Sequence, residues 1–130
     1  MKKSIQQLLY HYQAKVTKVY DGDTITADID LGLSIFAKGE KIRFHRIDAP
    51  ELKGRTKNKG VKSRDFLKSI IDQKEIIIET IKDKKEKYGR YLAEVWILQG
   101  KKFTNVNDLL VENGFAIYKF IKILTFCLKK

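Results

Sequence analysis

Three short stretches of this 130-residue chain carry side chains suited to chemistry. Asp21-Gly22-Asp23-Thr24 sets two carboxylates at a turn, where their oxygens can converge on a hard cation. Alone, an Asp-x-Asp turn more often spends its aspartates on backbone hydrogen bonds. It is not an EF-hand loop, because Thr26 stands where that loop needs a glycine. Residues 43–51 place Arg43 on a strand, Asp48 at a strand end and Glu51 three residues later, past Pro50, which fixes the backbone. Lys87-Tyr88-Gly89-Arg90 brings another arginine to the entrance of a later strand. Singly these read as a turn, a strand terminus and a surface charge; as a set they do not.

The elements that must position these groups follow from hydrophobic period. Residues 14–19 and 25–29 alternate apolar with polar, the period of half-buried strands, with Asp21-Gly22-Asp23 as the turn between them. A second pair is expected at 34–36 and 41–47, joined across Lys38-Gly39, with Ile42, Phe44 and Ile47 competing for the core. Val61, Phe66, Leu67, Ile70 and Ile71 recur on one helical face, so an amphipathic helix follows Gly60 and ends before Gln73. Residues 75–80 and 92–98, the latter with Trp96, read as strands. Asn105 is placed to cap a short helix carrying Val106, Leu109 and Leu110, stopped by Asn113-Gly114. Strands that arrive as a group, with a helix inserted after the first ones, favour a small, partly open barrel over a doubly wound parallel sheet.

Composition bounds what such a fold does. The length suits one domain over residues 1–130, with 1–12 as an N-terminal extension and 119–130 as a short tail. Hydrophobic residues at 43% and charged residues at 33% exclude a disordered chain. The single cysteine, Cys127, cannot form an internal disulfide and is read as inert; His11 and His45 lack a matching ligand set and are read as structural. A net charge of +11 and a pI near 9.7 point to a polyanionic partner, whose phosphates such a field concentrates, against the alternative of a merely soluble basic protein. No secretion signal is visible at the N-terminus, and the apolar stretch at 115–128, broken by Lys119 and Lys122, is shorter than the roughly 18 residues that span a bilayer.

Together the motifs resemble the staphylococcal (thermo)nuclease family, marked by an Asp-Gly-Asp-Thr turn, an arginine strand running into Asp-x-Pro-Glu, and a Tyr-Gly-Arg-x-Leu-Ala segment. Here they stand as residues 21–24, Arg43 with 48–51, and residues 88–93, in the same order and at matching separations. The likeness covers roughly residues 14–118. It implies a mainly β, α+β fold: a five-stranded OB-type barrel with two to three helices. It further implies a calcium-dependent nuclease, hydrolysing phosphodiesters of single- and double-stranded DNA and of RNA with little sequence preference and leaving 3′-phosphate ends. Residue by residue, Asp23 and Asp48 resemble calcium ligands, with the backbone carbonyl of Ala49 beside them, where most relatives have threonine. Glu51 resembles the residue that holds or deprotonates the attacking water. Arg43 and Arg90 resemble the pair that grips the phosphate, Asp21 supports the ligands from behind, and Lys87, Tyr88 and Tyr118 flank the bound nucleotide. The chain departs from the pattern at its end, where a short apolar tail replaces a longer helix; Ile117, Phe120, Ile121 and Leu124 keep helical spacing there.

The set makes physical sense independently. A phosphodiester repels hydroxide and gains negative charge on its equatorial oxygens in the transition state, so it needs a cation and fixed donors aimed at that charge. Arginine suits this better than lysine, because its planar fork bonds two phosphate oxygens and stays protonated. The acid-free stretch containing Lys53, Arg55, Lys57, Lys59, Lys62 and Arg64 is expected to be a flexible loop overhanging the site and tracking the nucleic-acid backbone. A non-catalytic OB-type nucleic-acid-binding module does not require Asp23, Arg43, Asp48, Glu51 and Arg90 all to be present, and a calcium-binding structural protein does not require two arginines beside the metal. A monomer is expected.

Overall fold

The computed structural model describes residues 4–119. Strands β1 (His11–Asp21), β2 (Thr24–Gly32) and β3 (Ile35–Phe44) form a meander, followed by the short β4 (Ile47–Asp48). A 3-10 turn at Gly54–Thr56 leads into helix α1 (Lys57–Ile71). Next come β5 (Glu75–Lys85), β6 (Tyr91–Gln99) and β7 (Lys102–Asn105), then helix α2 (Val106–Glu112) and β8 (Ile117–Tyr118). The main sheet runs β3-β2-β1-β5-β6-β7, and β3 also pairs in parallel with β6, closing the barrel that the sequence implies. Alternation explains the closure: Val16, Ile25, Ala27, Ile42, Phe44, Ile78, Ala93 and Val95 all point inward and are fully buried. Leu67 and Ile71 of α1 and Leu110 of α2 join the same core. No helix among the described residues is long and apolar enough to cross a membrane.

The second hairpin is not where the glycine suggests. β3 runs unbroken through Lys38-Gly39, and the turn lies at Leu33-Ser34, where both residues take positive φ (56° and 63°) between the paired Gly32 and Ile35. This is the two-residue turn whose twist matches its strands, although Leu-Ser lacks its usual Asn-Gly signature. Gly39, at φ 68°, instead makes a bulge: Lys38 and Gly39 together face Asp28, whose Oδ1 accepts from the Gly39 amide at 2.9 Å. Residues 45–47, assigned to the same strand by period, break because Arg46 adopts φ 71°.

β1 begins inside the segment read as an extension, and α1 starts at Lys57, ahead of the expected Gly60. Asn105 caps α2 as expected, its side chain accepting from the Asp108 amide at 2.8 Å. β7 and β8 were not anticipated; β8 pairs with β4, setting Ile117 opposite Asp48. Phe120, Ile121, Leu124 and Cys127 lie outside the described residues.

Candidate active site

The β1–β2 turn, the β3–β4 corner and the start of β6 meet at one end of the barrel. Asp23 is 5% exposed. Its Oδ2 accepts from the Ala49 amide at 2.8 Å, its Oδ1 accepts from the Thr24 hydroxyl at 3.1 Å, and the Asp21 side chain accepts from the Asp23 amide at 3.0 Å. Arg43 lies across β2 and β3 from Thr24, which aims its guanidinium at the turn. Its Nη1 sits 3.1 Å from Asp23 Oδ2 and its Nη2 2.5 Å from Asp48 Oδ1, while Nη1 also donates to the carbonyls of Phe44 and Ile47 at 3.0 Å. Burial pushes the Asp23 carboxyl above the usual carboxylate range; Arg43 opposes that rise and the crowded Asp21 adds to it.

Helix α1 is the platform beneath this cluster. A Cβ on Gly22 would overlap Ser63 and lie 2.7 Å from Ala49 Cβ, and one on Gly60 would lie 2.7 Å from the Glu51 carbonyl carbon. Both glycines are therefore required by close approach. Ser63 is fully buried and donates to the Phe115 carbonyl at 2.7 Å, and the Thr56 hydroxyl donates to the Glu51 carbonyl at 3.0 Å. Glu51 is thus fixed by its backbone, whereas its carboxylate makes no hydrogen bond or ion pair with the described residues.

Arg90 arrives from the other side at the mouth of β6. Glu86 holds it, accepting from Nε and Nη2 at 3.1 Å and from the backbone amides of Tyr88 and Arg90 at 3.0 Å. The Arg90 guanidinium holds the Glu86 carboxyl down to about 2. Tyr88 is 69% exposed, with Lys87 Nζ 5.0 Å and Arg90 Cζ 5.4 Å from its ring centroid.

Asp21, Asp23, Arg43, Asp48, Ala49, Glu51 and Arg90 line one cleft of about 700 Å³, walled by Phe115, Ala116 and Ile117. Tyr88 and Lys87 flank it without lining it. Tyr118 faces elsewhere: its hydroxyl donates to Asp108 Oδ1 at 2.8 Å and its ring lies under Arg46. The basic stretch is not a flexible loop. The 3-10 turn and α1 take up residues 54–64, and the Thr56 hydroxyl ties the turn to the carbonyls of Glu51 and Lys53; of its cations Lys59 lines the cleft. Periodicity missed this because few apolar residues mark the first turns of α1.

The donors suit a calcium ion by their chemistry. They are all oxygens, hard and anionic, and Asp23 and Asp48 already share one cationic group, the Arg43 guanidinium. Among the described residues no three His, Cys, Asp or Glu side chains are grouped so as to hold a metal ion by themselves. Sequence reasoning missed Glu86, Gly60 and Ser63, whereas Lys59 belongs to the basic stretch already expected to overhang the site. The acid four residues before Arg90 was the available signal for Glu86; Gly60 and Ser63 depend on how α1 docks.

Comparison with known proteins gives the same reading of the fold. The family model described as staphylococcal nuclease homologue matches residues 41–126. An uncharacterised protein of Methanocaldococcus jannaschii is 32% identical over an alignment covering 82% of this chain and 58% of its own length. The thermonuclease of Staphylococcus hyicus is 35% identical, covering 83% of this chain and 60% of its own, and that of Staphylococcus intermedius 34%, covering 81% and 58%. The chain therefore spans about three-fifths of the length of these relatives. The family model covers the β3–β4 corner and the β6 entrance, and with these relatives it shows that the chain belongs to the family of staphylococcal nuclease homologues.

Proposed function

We propose that this protein is a calcium-dependent nuclease, a monomer that hydrolyses phosphodiesters in single- and double-stranded DNA and in RNA with little sequence preference. The observation that carries the reading is the shared cleft, where two arginines, a glutamate whose carboxylate is unpaired among the described residues, and a pair of buried or half-buried aspartates face one volume large enough for a nucleotide. Asp23 and Asp48, with the Ala49 carbonyl, would hold the calcium ion. When bound it would offset the negative charge that repels an attacking water.

The chain's own residues do the rest. Arg90 spends Nε and Nη2 on Glu86, which leaves Nη1 for an equatorial phosphate oxygen. Arg43, on the strand paired with β6, binds the same phosphate and stabilises the extra charge of the transition state. Glu51 accepts the proton of the attacking water as its oxygen bonds to phosphorus. The bond from phosphorus to the 5′ oxygen breaks, and that oxygen takes a proton from solvent, leaving a 3′-phosphate and a 5′-hydroxyl. Tyr88 and Lys87 flank the nucleotide at the rim. The rival, a module that binds without cutting, offers no use for the free Glu51 carboxylate. Digestion of single-stranded DNA with calcium and then with a chelator is the test: cleavage is expected only with calcium, and equal digestion in both would overturn the metal-dependent reading.

A further inference from the structure

A second groove, about 470 Å³, adjoins the cleft and shares Asp21 and Arg90 with it. It lies on the outer face of β1, β2 and β3. Register puts Lys18 opposite Thr26 and Thr26 opposite Lys41, so a Lys-Thr-Lys row crosses three strands. Two residues further along, about 7 Å at strand rise, the next row on that face is Thr24 and Arg43. The lysine row therefore stands one step before the phosphate-gripping arginine.

This row exists because β1 is irregular. Bulges fall at Thr17 and Tyr20, the residues skipped in pairing with β2. The first turns Lys18 outward after the outward Thr17, and the second leaves Tyr20 54% exposed beside the groove. Among the described residues neither Lys18 nor Lys41 makes a salt bridge, while Lys85, Arg43, Arg46 and Arg90 all do. Uncommitted cations beside an exposed aromatic ring, in a groove that shares Asp21 and Arg90 with the cleft, have the chemistry that binds an unpaired polynucleotide: phosphates on ammonium groups and a base on the ring.

We propose that this groove is an outlying subsite for single-stranded nucleic acid, in which Lys18 and Lys41 bind phosphates next to the one being cut and Tyr20 stacks on an unpaired base. The subsite rests on the nuclease reading above and adds that substrate length matters: a strand of several nucleotides engages the groove, a dinucleotide fills only the cleft.

Fluorescence anisotropy on the full chain tests it, with Glu51→Gln as background so that strands stay intact. The probes are a labelled dinucleotide and a single strand of roughly ten nucleotides, within the range one such barrel covers. Adding Lys18→Gln and Lys41→Gln should lower the slope of log affinity against log salt for the longer strand by about 1.4, at about 0.7 per phosphate. Tyr20→Ala should weaken the longer strand about fivefold or more. Dinucleotide affinity should stay within a factor of about two in both, well inside the tenfold that one lost contact of this size would bring. An unchanged slope and affinity for the longer strand, with the dinucleotide still bound, would overturn the subsite alone. A parallel loss for both probes would place these residues in the cleft and also overturn it. Binding of neither probe by the parent would bring down the nuclease reading and the subsite with it.

Discussion

Arg43 and Arg46 stand three residues apart and are built alike, each with its guanidinium between two carboxylates. Arg43 bridges Asp23 and Asp48; Arg46 bridges Glu94 and, at 3.0 Å, Asp108. The arginine of the cleft is the more buried, with 11% of its side chain exposed against 40% for Arg46. Exposure and pairing therefore do not tell a site from a strut. What differs is the open side. Arg43 faces a cleft containing Glu51 and Arg90, whereas Arg46 lies over the Tyr118 ring outside that cleft, and its acids are held again by Asn105 Nδ2 and the Tyr118 hydroxyl. Arg46 also sits at φ 71°, and its two ion pairs hold that corner, so that β4 presents Asp48 to the cleft. In the proposed mechanism Arg43 acts on the phosphate, while Arg46 holds the corner beside it.

Breaking the cleft side should give the largest effects. Glu51→Gln keeps shape and removes the group that accepts a proton, so turnover should fall by about 10² to 10⁴ in single-turnover assays while nucleotide affinity holds. Near-normal turnover would show that Glu51 takes no part in activating water. Arg90→Lys should cost about 10² in turnover, because one ammonium cannot stay bonded to Glu86 and reach the phosphate together as the guanidinium fork does. A loss in affinity alone, with turnover intact, would make Arg90 a binding residue only.

On the strut side the readout moves from rate to stability. Arg46→Met leaves Glu94, whose side chain is 12% exposed, without its cation but still bonded to Asn105. The expected loss is about 1–2 kcal/mol, discounted for the exposure of Arg46. That corresponds to about 4–8 °C in Tm for a chain of this size, with turnover well below Tm reduced less than in Arg90→Lys. A catalytic loss equal to that of Arg90→Lys would erase the contrast between the two arginines.

The smallest effect concerns Glu86, the acid that steadies Arg90. Its carboxyl is depressed from the ordinary 4.5 to about 2. A depressed carboxylate contributes stability above its unfolded value and loses it as pH falls through the folded one. The difference in Tm between the wild type and Glu86→Gln should therefore be present at neutral pH and fade between pH 4.5 and 2. A difference that stays constant across that window would mean the ion pair adds nothing to folding.

The residues of the candidate site were legible in the chain because charged groups stand out by type and local spacing. The β1–β2 turn, Arg43, the corner from Asp48 to Glu51 and Arg90 are all short-range patterns; the inward residues of β1 and β2 follow from a period of two that any half-buried strand must keep, and β5 and β6 show as short apolar runs. Asn105 was equally local, since a cap reaches only three residues. What depended on tertiary structure were the meetings across sequence. Asp23 accepts from Ala49, 26 residues away; Arg46 bonds Glu94 across 48; Ser63 reaches Phe115 across 52. The same holds where a local signal misled: Lys38-Gly39 looks like a turn and is a bulge, because Asp28 on the neighbouring strand supplies its hydrogen bond. The basic stretch looks like a loop and is mostly helix, because Leu67 and Ile71 further along α1 dock on the barrel and carry the earlier turns with them. Side-chain chemistry is a property of each residue, but which charges share a cleft is set by strand closure and helix docking, whose energies sum over contacts between residues far apart in the chain.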